Sequence, residues 1–270
     1  MGITLSAINV YPVKGLKGIA LESARCTDRG IENDRRWMVV DPEGMFMSQR
    51  SHPRMATVWT ELTDSALLLS APDEDAVEVP FEPPPAPSIK VQVWNSIVDA
   101  RPASREADWW LTNYLGSPCR LVYMPDGTER YSNNKYAGEG KRVGFADGYA
   151  YLVIGEASLA DLNARLAAKG HPALPMNRFR PNLVVSGTEP YAEDRFGDIR
   201  IGDATFRGVK PCGRCQVTTT DQSTGEVTGP EPLLTLASYR DSTEFGQMFG
   251  MNFVSMKPGR VRVRDPVEVG

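Results

Sequence analysis

From Ile3 to Val98 short runs of apolar or alternating side chains are broken every few positions by turn formers, the pattern of β-strands with one buried face. Leu5 to Val10, Trp37 to Val40, Met55 to Leu62, Ala66 to Ser70, Val77 to Phe81 and Ile89 to Trp94 carry it. Asp41-Pro42-Glu43-Gly44 has Pro at the second and Gly at the fourth position of a four-residue turn, which predicts a type I turn closing a hairpin. Glu82-Pro83-Pro84-Pro85-Ala86-Pro87 cannot enter a sheet interior, because each proline removes a donor from the ladder; it predicts a stiff surface connection.

The period then changes. Ser104 introduces a helix over Arg105 to Leu115 that ends at Gly116, and Ser158 with Asp161 three residues on has the form of a capping box opening Leu159 to Lys169, closed by Gly170. Strands resume at Asn182 to Val185, Ile199 to Ile201, Thr205 to Val209, Gln216 to Thr220 and Arg260 to Val263, with a further helix near Leu233 to Arg240. Asp126 to Asp147, rich in Gly, Asn and charge, is long for a structureless connection, and long loops in compact domains are often functional. The expected fold class is mainly β: an N-terminal β-barrel-like domain over residues 1–98, then a larger β-barrel domain over 99–270 decorated with helices.

Composition narrows the function. With 41% hydrophobic and 24% charged residues among 270, the chain has enough apolar side chain for a real core. Its net charge of −4 speaks against a surface built for nucleic acid. No stretch reaches the roughly 18 consecutive apolar residues of a membrane helix, and the first residues lack the charged start and apolar run of a signal peptide, so the expected location is cytoplasmic, away from any membrane. Four cysteines are too few for a disulfide scaffold. Cys26 and Cys119 are isolated and read as buried packing residues.

Cys212-Gly213-Arg214-Cys215 is the sharpest local signal, because Lys210 and Arg214 supply the positive surroundings in which a thiolate forms. Three readings are open: a thiol pair, half of a zinc site, or one functional thiolate. The first is weakened by the expected continuation as strand from Gln216 to Thr220, and the second by the lack of a second C-x-x-C or of paired histidines, since His52 and His171 are alone. A second signal is basic residues beside glycine, proline or asparagine: Lys14-Gly15, Arg35-Arg36, Arg50, Arg54 and Arg178-Phe179-Arg180-Pro181-Asn182. Arg matches phosphate in a planar, bidentate way, although any one of these residues alone reads equally well as exposed charge.

Taken in order, Tyr11-Pro-Val-Lys-Gly15, Asp28-Arg-Gly-Ile-Glu-Asn-Asp-Arg35, Gly155-Glu-Ala-Ser-Leu-Ala-Asp-Leu-Asn163, Arg178-Phe-Arg-Pro-Asn182, Tyr191-Ala-Glu-Asp194, Ile201-Gly-Asp203 and Cys212-Gly-Arg-Cys215 with the following Thr-Thr-Thr-Asp221 resemble the MOSC superfamily. The match runs over nearly the whole chain and is similar to members with a companion N-terminal β-barrel domain, the mitochondrial amidoxime-reducing components and their bacterial counterparts. The resemblance implies a molybdenum cofactor, molybdopterin with Mo, in a cleft between two β-domains, with Cys215 as the protein ligand to the metal. It implies that pterin and phosphate are held at Lys14, Gly15, Arg35, Asp147 to Tyr149 (with Gly148 between), Arg180 and Asn182. Asp147 is the candidate proton relay, and Cys212 is expected to have a supporting role.

The implied reaction is two-electron reduction of an N–O bond in a small N-hydroxylated compound. No ferredoxin-type cysteine run follows Val269, so the electrons are expected from a separate electron-transfer protein and its reductase. The alternative is a cofactor-binding or sulfur-carrier protein without reductase activity. Gly15 stands where the mitochondrial proteins have Ser, and Gly148-Tyr149 also departs from their hydroxyl-bearing pair, which bears on the phosphate shell.

Overall fold

The computed structural model describes residues 2–82 and 85–270. Strands dominate, as expected for a mainly β chain. An eight-stranded sheet runs in the order Val267–Val269, Asp198–Ile201, Ala204–Gly213, Met248–Lys257, Tyr151–Gly155, Leu183–Ser186, Thr4–Val10, Ile19–Leu21. Its one parallel pair, Tyr151–Gly155 beside Leu183–Ser186, needs a crossover, and the helix Glu156–Ala168 supplies it. The strand Thr4–Val10 lies between Leu183–Ser186 and Ile19–Leu21, so the start of the chain is built into the sheet made mostly by its second half.

A five-stranded sheet has the order Ile89–Val93, Ser96–Pro102, Arg120–Tyr123, Trp37–Val40, Val13–Lys14. The helix Arg105–Leu115 covers it with Ala107, Trp110, Leu111 and Tyr114, one face at the helical repeat, against Trp37, Val39 and Leu121. Ser104 Oγ accepts from the Ala107 N–H and Gly116 closes the helix at φ 67°, so both ends lie where the sequence puts them. Two three-stranded sheets complete the described residues: Gly259–Arg262 with Ser23–Thr27 and Gly30–Ile31, and Trp59–Leu62 with Ala66–Ala71 and Glu74–Pro80. The turn at Asp41 forms as expected, Gly44 N–H donating to the Asp41 carbonyl at 3.0 Å. Of the proline run, Pro83 and Pro84 lie outside the described residues.

Three expectations are corrected. Met55 to Leu62 is not one strand: Pro53–Thr57 is a 3₁₀ turn, begun by Pro53 and tied by the Thr57 hydroxyl to the Arg54 carbonyl, and the strand starts at Trp59. Gln216 to Thr220 is not a strand either. The Thr218 N–H and hydroxyl both donate to the Cys215 carbonyl at 3.0 Å, and the Thr219 hydroxyl donates to the Gln216 carbonyl at 2.8 Å, which closes a 3₁₀ turn over Gln216–Thr219. Local side-chain to backbone bonding overrides the β-propensity of the threonines. Finally, the helix expected from Leu159 begins at Glu156. Ser158 does not cap it but is fully buried, donating to Glu193 Oε2 and accepting from the Tyr191 N–H, both at 2.8 Å.

Candidate functional site

Every residue expected at the site lines one cleft of about 150 Å³. They come from strand ends of both large sheets. Lys14 closes the short strand Val13–Lys14 and Arg35 precedes Trp37–Val40. Asp147, Gly148 and Tyr149 lead into Tyr151–Gly155, Arg180 and Asn182 into Leu183–Ser186, and Cys215 follows Ala204–Gly213. The ends of strands are where side chains leave the ladder and become free to converge on a ligand.

The cations are anchored deep. Arg35 Nη1 is clamped by both oxygens of buried Asp34, at 2.8 and 2.6 Å, and donates to Asn182 Oδ1 at 3.1 Å, while its Nη2 reaches the Arg180 carbonyl at 3.3 Å. The Asp34 carboxylate also takes the Tyr11 N–H at 2.8 Å. The guanidinium carbons of Arg35 and Arg180 each lie 4.3 Å from the Tyr11 ring centroid. Burial pushes Arg180 down to about 10, against the nearby Tyr11 and Asp34 that favour its charge. Arg35 and Arg180 have φ of 47° and 55°, and Trp94, a third residue of the cleft, 55°. Such backbone costs about 1–3 kcal/mol per residue and persists only where the surroundings over-determine it. Three of the seven such non-glycine residues among the described residues lie at this one cleft.

Lys14 Nζ is bonded to Asp147 Oδ1, with the lysine side chain 8% and the aspartate 70% exposed. Burial lowers Lys14, partly offset by Asp147. Partial enclosure raises Asp147, but the Lys14 charge, the hydrogen bonds from Lys14 and from Trp94 Nε1, and the Arg35 charge outweigh it, and the carboxyl lies well below the usual range. Asp147 is therefore ionised at neutral pH.

The two cysteines differ. Arg214 Nη1 donates to Cys212 Sγ at 3.0 Å and its Nη2 to the Phe179 carbonyl at 2.7 Å. Cys215, half-buried, caps the 3₁₀ turn through its backbone, and its thiol makes no hydrogen bond among the described residues. All four cysteines are free, and no cluster of three or more His, Cys, Asp or Glu able to hold a metal by protein ligands alone occurs among the described residues.

Several further side chains support the site from behind. Buried Arg130 donates to the carbonyls of Gly144 and Ala146 at 2.6 Å and of Asp147 at 2.9 Å, which shapes the loop that delivers Asp147. Gln49 and Gln222 exchange amide hydrogen bonds of 3.1 and 2.8 Å, and Gln49 Nε2 also donates to the Gly15 carbonyl at 2.7 Å, tying Gly15 to the segment behind Cys215. No local pattern marks either device. Phe46 and Trp94 also line the cleft, and their only trace in the sequence is as strand-end aromatics.

A mainly β chain with a thiol-bearing, cation-lined cleft at the strand ends defines a class, and comparison with known proteins names it. Residues 2–118 match the MOSC N-terminal beta barrel domain and residues 140–268 the MOSC domain, so the chain belongs to the MOSC family. Within it, mitochondrial amidoxime-reducing component 1 of Mus musculus is 34% identical over 280 residues, covering 98% of this chain and 81% of the mouse protein. The Homo sapiens protein of the same name is also 34% identical, covering 98% of this chain and 82% of its own. A molybdenum cofactor sulfurase of Arabidopsis thaliana is 33% identical over 87% of this chain, which spans 31% of that protein.

Proposed function

We propose that the chain binds a molybdenum cofactor in this cleft and reduces N–O bonds of small N-hydroxylated compounds, with Cys215 as ligand to the metal and a separate protein as electron donor. The observation that carries this reading is the donor set: among the described residues Lys14, Arg35, Arg180 and Arg214 line the cleft against Asp147 alone of acidic side chains, around a Cys215 thiol without a hydrogen-bond partner. Guanidinium and ammonium groups suit a phosphate, and a soft thiolate suits a metal already bound by sulfur. The residues present fit such a group.

Lys14, Arg35 and Arg180 would hold the phosphate, with Gly15, Gly148, Tyr149 and Asn182 shaping its surroundings, and Cys215 the metal. When bound, the cofactor supplies the two-electron redox chemistry, and the protein supplies orientation and protons. Asp147, held ionised, accepts from Lys14 Nζ and fixes the position of that ammonium in the cleft. Asp147 is the proton-relay candidate, an ionised carboxylate able to accept and pass on a proton while the Lys14 ammonium stays on the phosphate.

The test is expression in a host that makes the cofactor, followed by molybdenum analysis and turnover of benzamidoxime with a reduced viologen. Stoichiometric molybdenum with turnover is the expected result. Molybdenum without turnover by any donor would favour the carrier reading, to which the likeness to the Arabidopsis sulfurase lends weight. Protein that takes up no molybdenum would overturn the reductive and cofactor-carrier readings and leave only the sulfur-carrier alternative.

A further inference from the structure

With Lys14, Arg35 and Arg180 assigned to the phosphate and Arg214 bonded to Cys212 Sγ and the Phe179 carbonyl, Arg50 is the cleft cation left over. Among the described residues its guanidinium makes no hydrogen bond and no ion pair. It lies instead 4.4 Å from the ring centroid of Trp94 and 5.8 Å from that of Phe46, two rings 5.1 Å apart and tilted by 48°. Stacking on aromatic faces orients a guanidinium without using its N–H donors, so the planar fork stays available.

Trp94 is held there against its own backbone preference. It occupies the first turn position between paired Val93 and Ser96 at φ 55°, a conformation that suits glycine or asparagine and is an outlier for a bulky side chain. Its Nε1 donates to Asp147 Oδ1 at 3.0 Å and Gln92 Nε2 donates to its carbonyl at 2.9 Å, which pins the ring at the cleft while leaving the residue 39% exposed. A partly exposed indole, a phenyl ring and an unspent guanidinium thus stand side by side at the cleft.

We propose that Phe46, Trp94 and Arg50 form the substrate-recognition wall, selecting N-hydroxylated compounds with a flat unsaturated body that carries a carboxylate. The flat body follows from the aromatic faces, which stack on a π-system better than on a saturated ring. The carboxylate follows from the guanidinium, whose paired N–H groups match it bidentately. This rests on the reductive reading of the cleft, but its test needs no turnover.

The holoprotein is titrated with three amides that cannot be reduced at an N–O bond: 4-carbamoylbenzoate, benzamide and 4-carbamoylcyclohexanecarboxylate, followed by tryptophan fluorescence. With five tryptophans in the chain, a Trp94→Phe variant assigns the signal. The expected result is quenching by 4-carbamoylbenzoate, with affinity on the order of tenfold above either control. Read by isothermal titration calorimetry, which does not depend on the Trp94 indole as reporter, Arg50→Gln should erase the advantage of the carboxylate while benzamide still binds, and Trp94→Ala should erase the advantage of the flat ring over the saturated one. Equal affinity of the wild type for all three amides, or loss of molybdenum from Arg50→Gln with its ligand preference intact, would overturn the proposal. A protein that binds these amides as expected yet reduces no benzamidoxime would defeat the reductive reading and leave the recognition wall standing.

Discussion

Replacing the two cysteines one at a time should give crossed effects, because the structure uses their sulfurs differently. Cys212→Ala takes the acceptor from Arg214 Nη1, which now donates to Sγ at 3.0 Å, beside an Arg214 Nε that is already buried without a partner. Stranding a fully buried donor costs about 1–3 kcal/mol, and more on a charged group. Arg214 is only half-buried, and the lower part of that range, about 1–2 kcal/mol, applies. For a chain of this size that is a fall in Tm of roughly 2–8 °C. Cys215→Ser removes a thiol that has no hydrogen-bond partner among the described residues from a half-exposed position and should cost about 0.5 kcal/mol or less. Its effect should fall on the metal, since a protonated hydroxyl is a poor replacement for a soft thiolate. Scanning calorimetry on cofactor-free protein, where no bound ligand adds stability, together with molybdenum analysis of protein from a competent host, reads both quantities. Retained molybdenum in Cys215→Ser, or its loss in Cys212→Ala with an unchanged melt, would refute the assignment. Equal loss of activity in both, with a reversible disulfide in the wild type, would restore the thiol-pair reading.

Lys14→Met should lower molybdenum content while leaving the melt nearly unchanged, because the partner it abandons, Asp147, has an exposed side chain that water can serve; a misfolded variant with full molybdenum would show a structural role instead. The two glycines of the site should separate in a thermal melt. Gly15→Ala meets Met55 Cε at 2.9 Å with φ +85° and should cost about 1–2 kcal/mol, whereas a Cβ at Gly148 has nothing within 4 Å and should be tolerated. Glu193 is fully buried with one oxygen unpartnered, and burial pushes its carboxyl up. A raised folded value means that its contribution to stability is complete below the ordinary value of 4.5 and fades as pH rises through the raised one. Glu193→Gln should therefore gain stability relative to wild type at pH 8, and urea titrations at pH 4 and pH 8 that show no such difference would count against a buried, protonated Glu193.

Elements whose stabilising bonds lie close in sequence were legible along the chain. Ser104, the apolar face of Ala107, Trp110, Leu111 and Tyr114, and Gly116 specify one helix without help from elsewhere, and Asp41 to Gly44 specify one turn. The candidate site was legible for a different reason: its strings of basic residues and its cysteine pair resemble a family whose model matches the chain. Tertiary structure decided the rest. Ser158 has the sequence form of a cap, but buried Glu193 and the Tyr191 N–H claim its hydroxyl across more than thirty residues. Met55 and the threonines after Cys215 have strand-like sequence, yet neighbouring hydrogen bonds turn the chain before any partner strand is reached. Arg130, Gln49 and Gln222 carry no pattern at all, because what they bind lies at carbonyls and amides that only the fold brings near. The basic side chains and the cysteine pair of the cleft are written in the sequence. Their convergence from residue 14 to residue 215 on one cleft, with Arg50 left unspent beside Trp94, depends on sheet pairings between distant segments, and those are settled by burial of the whole chain.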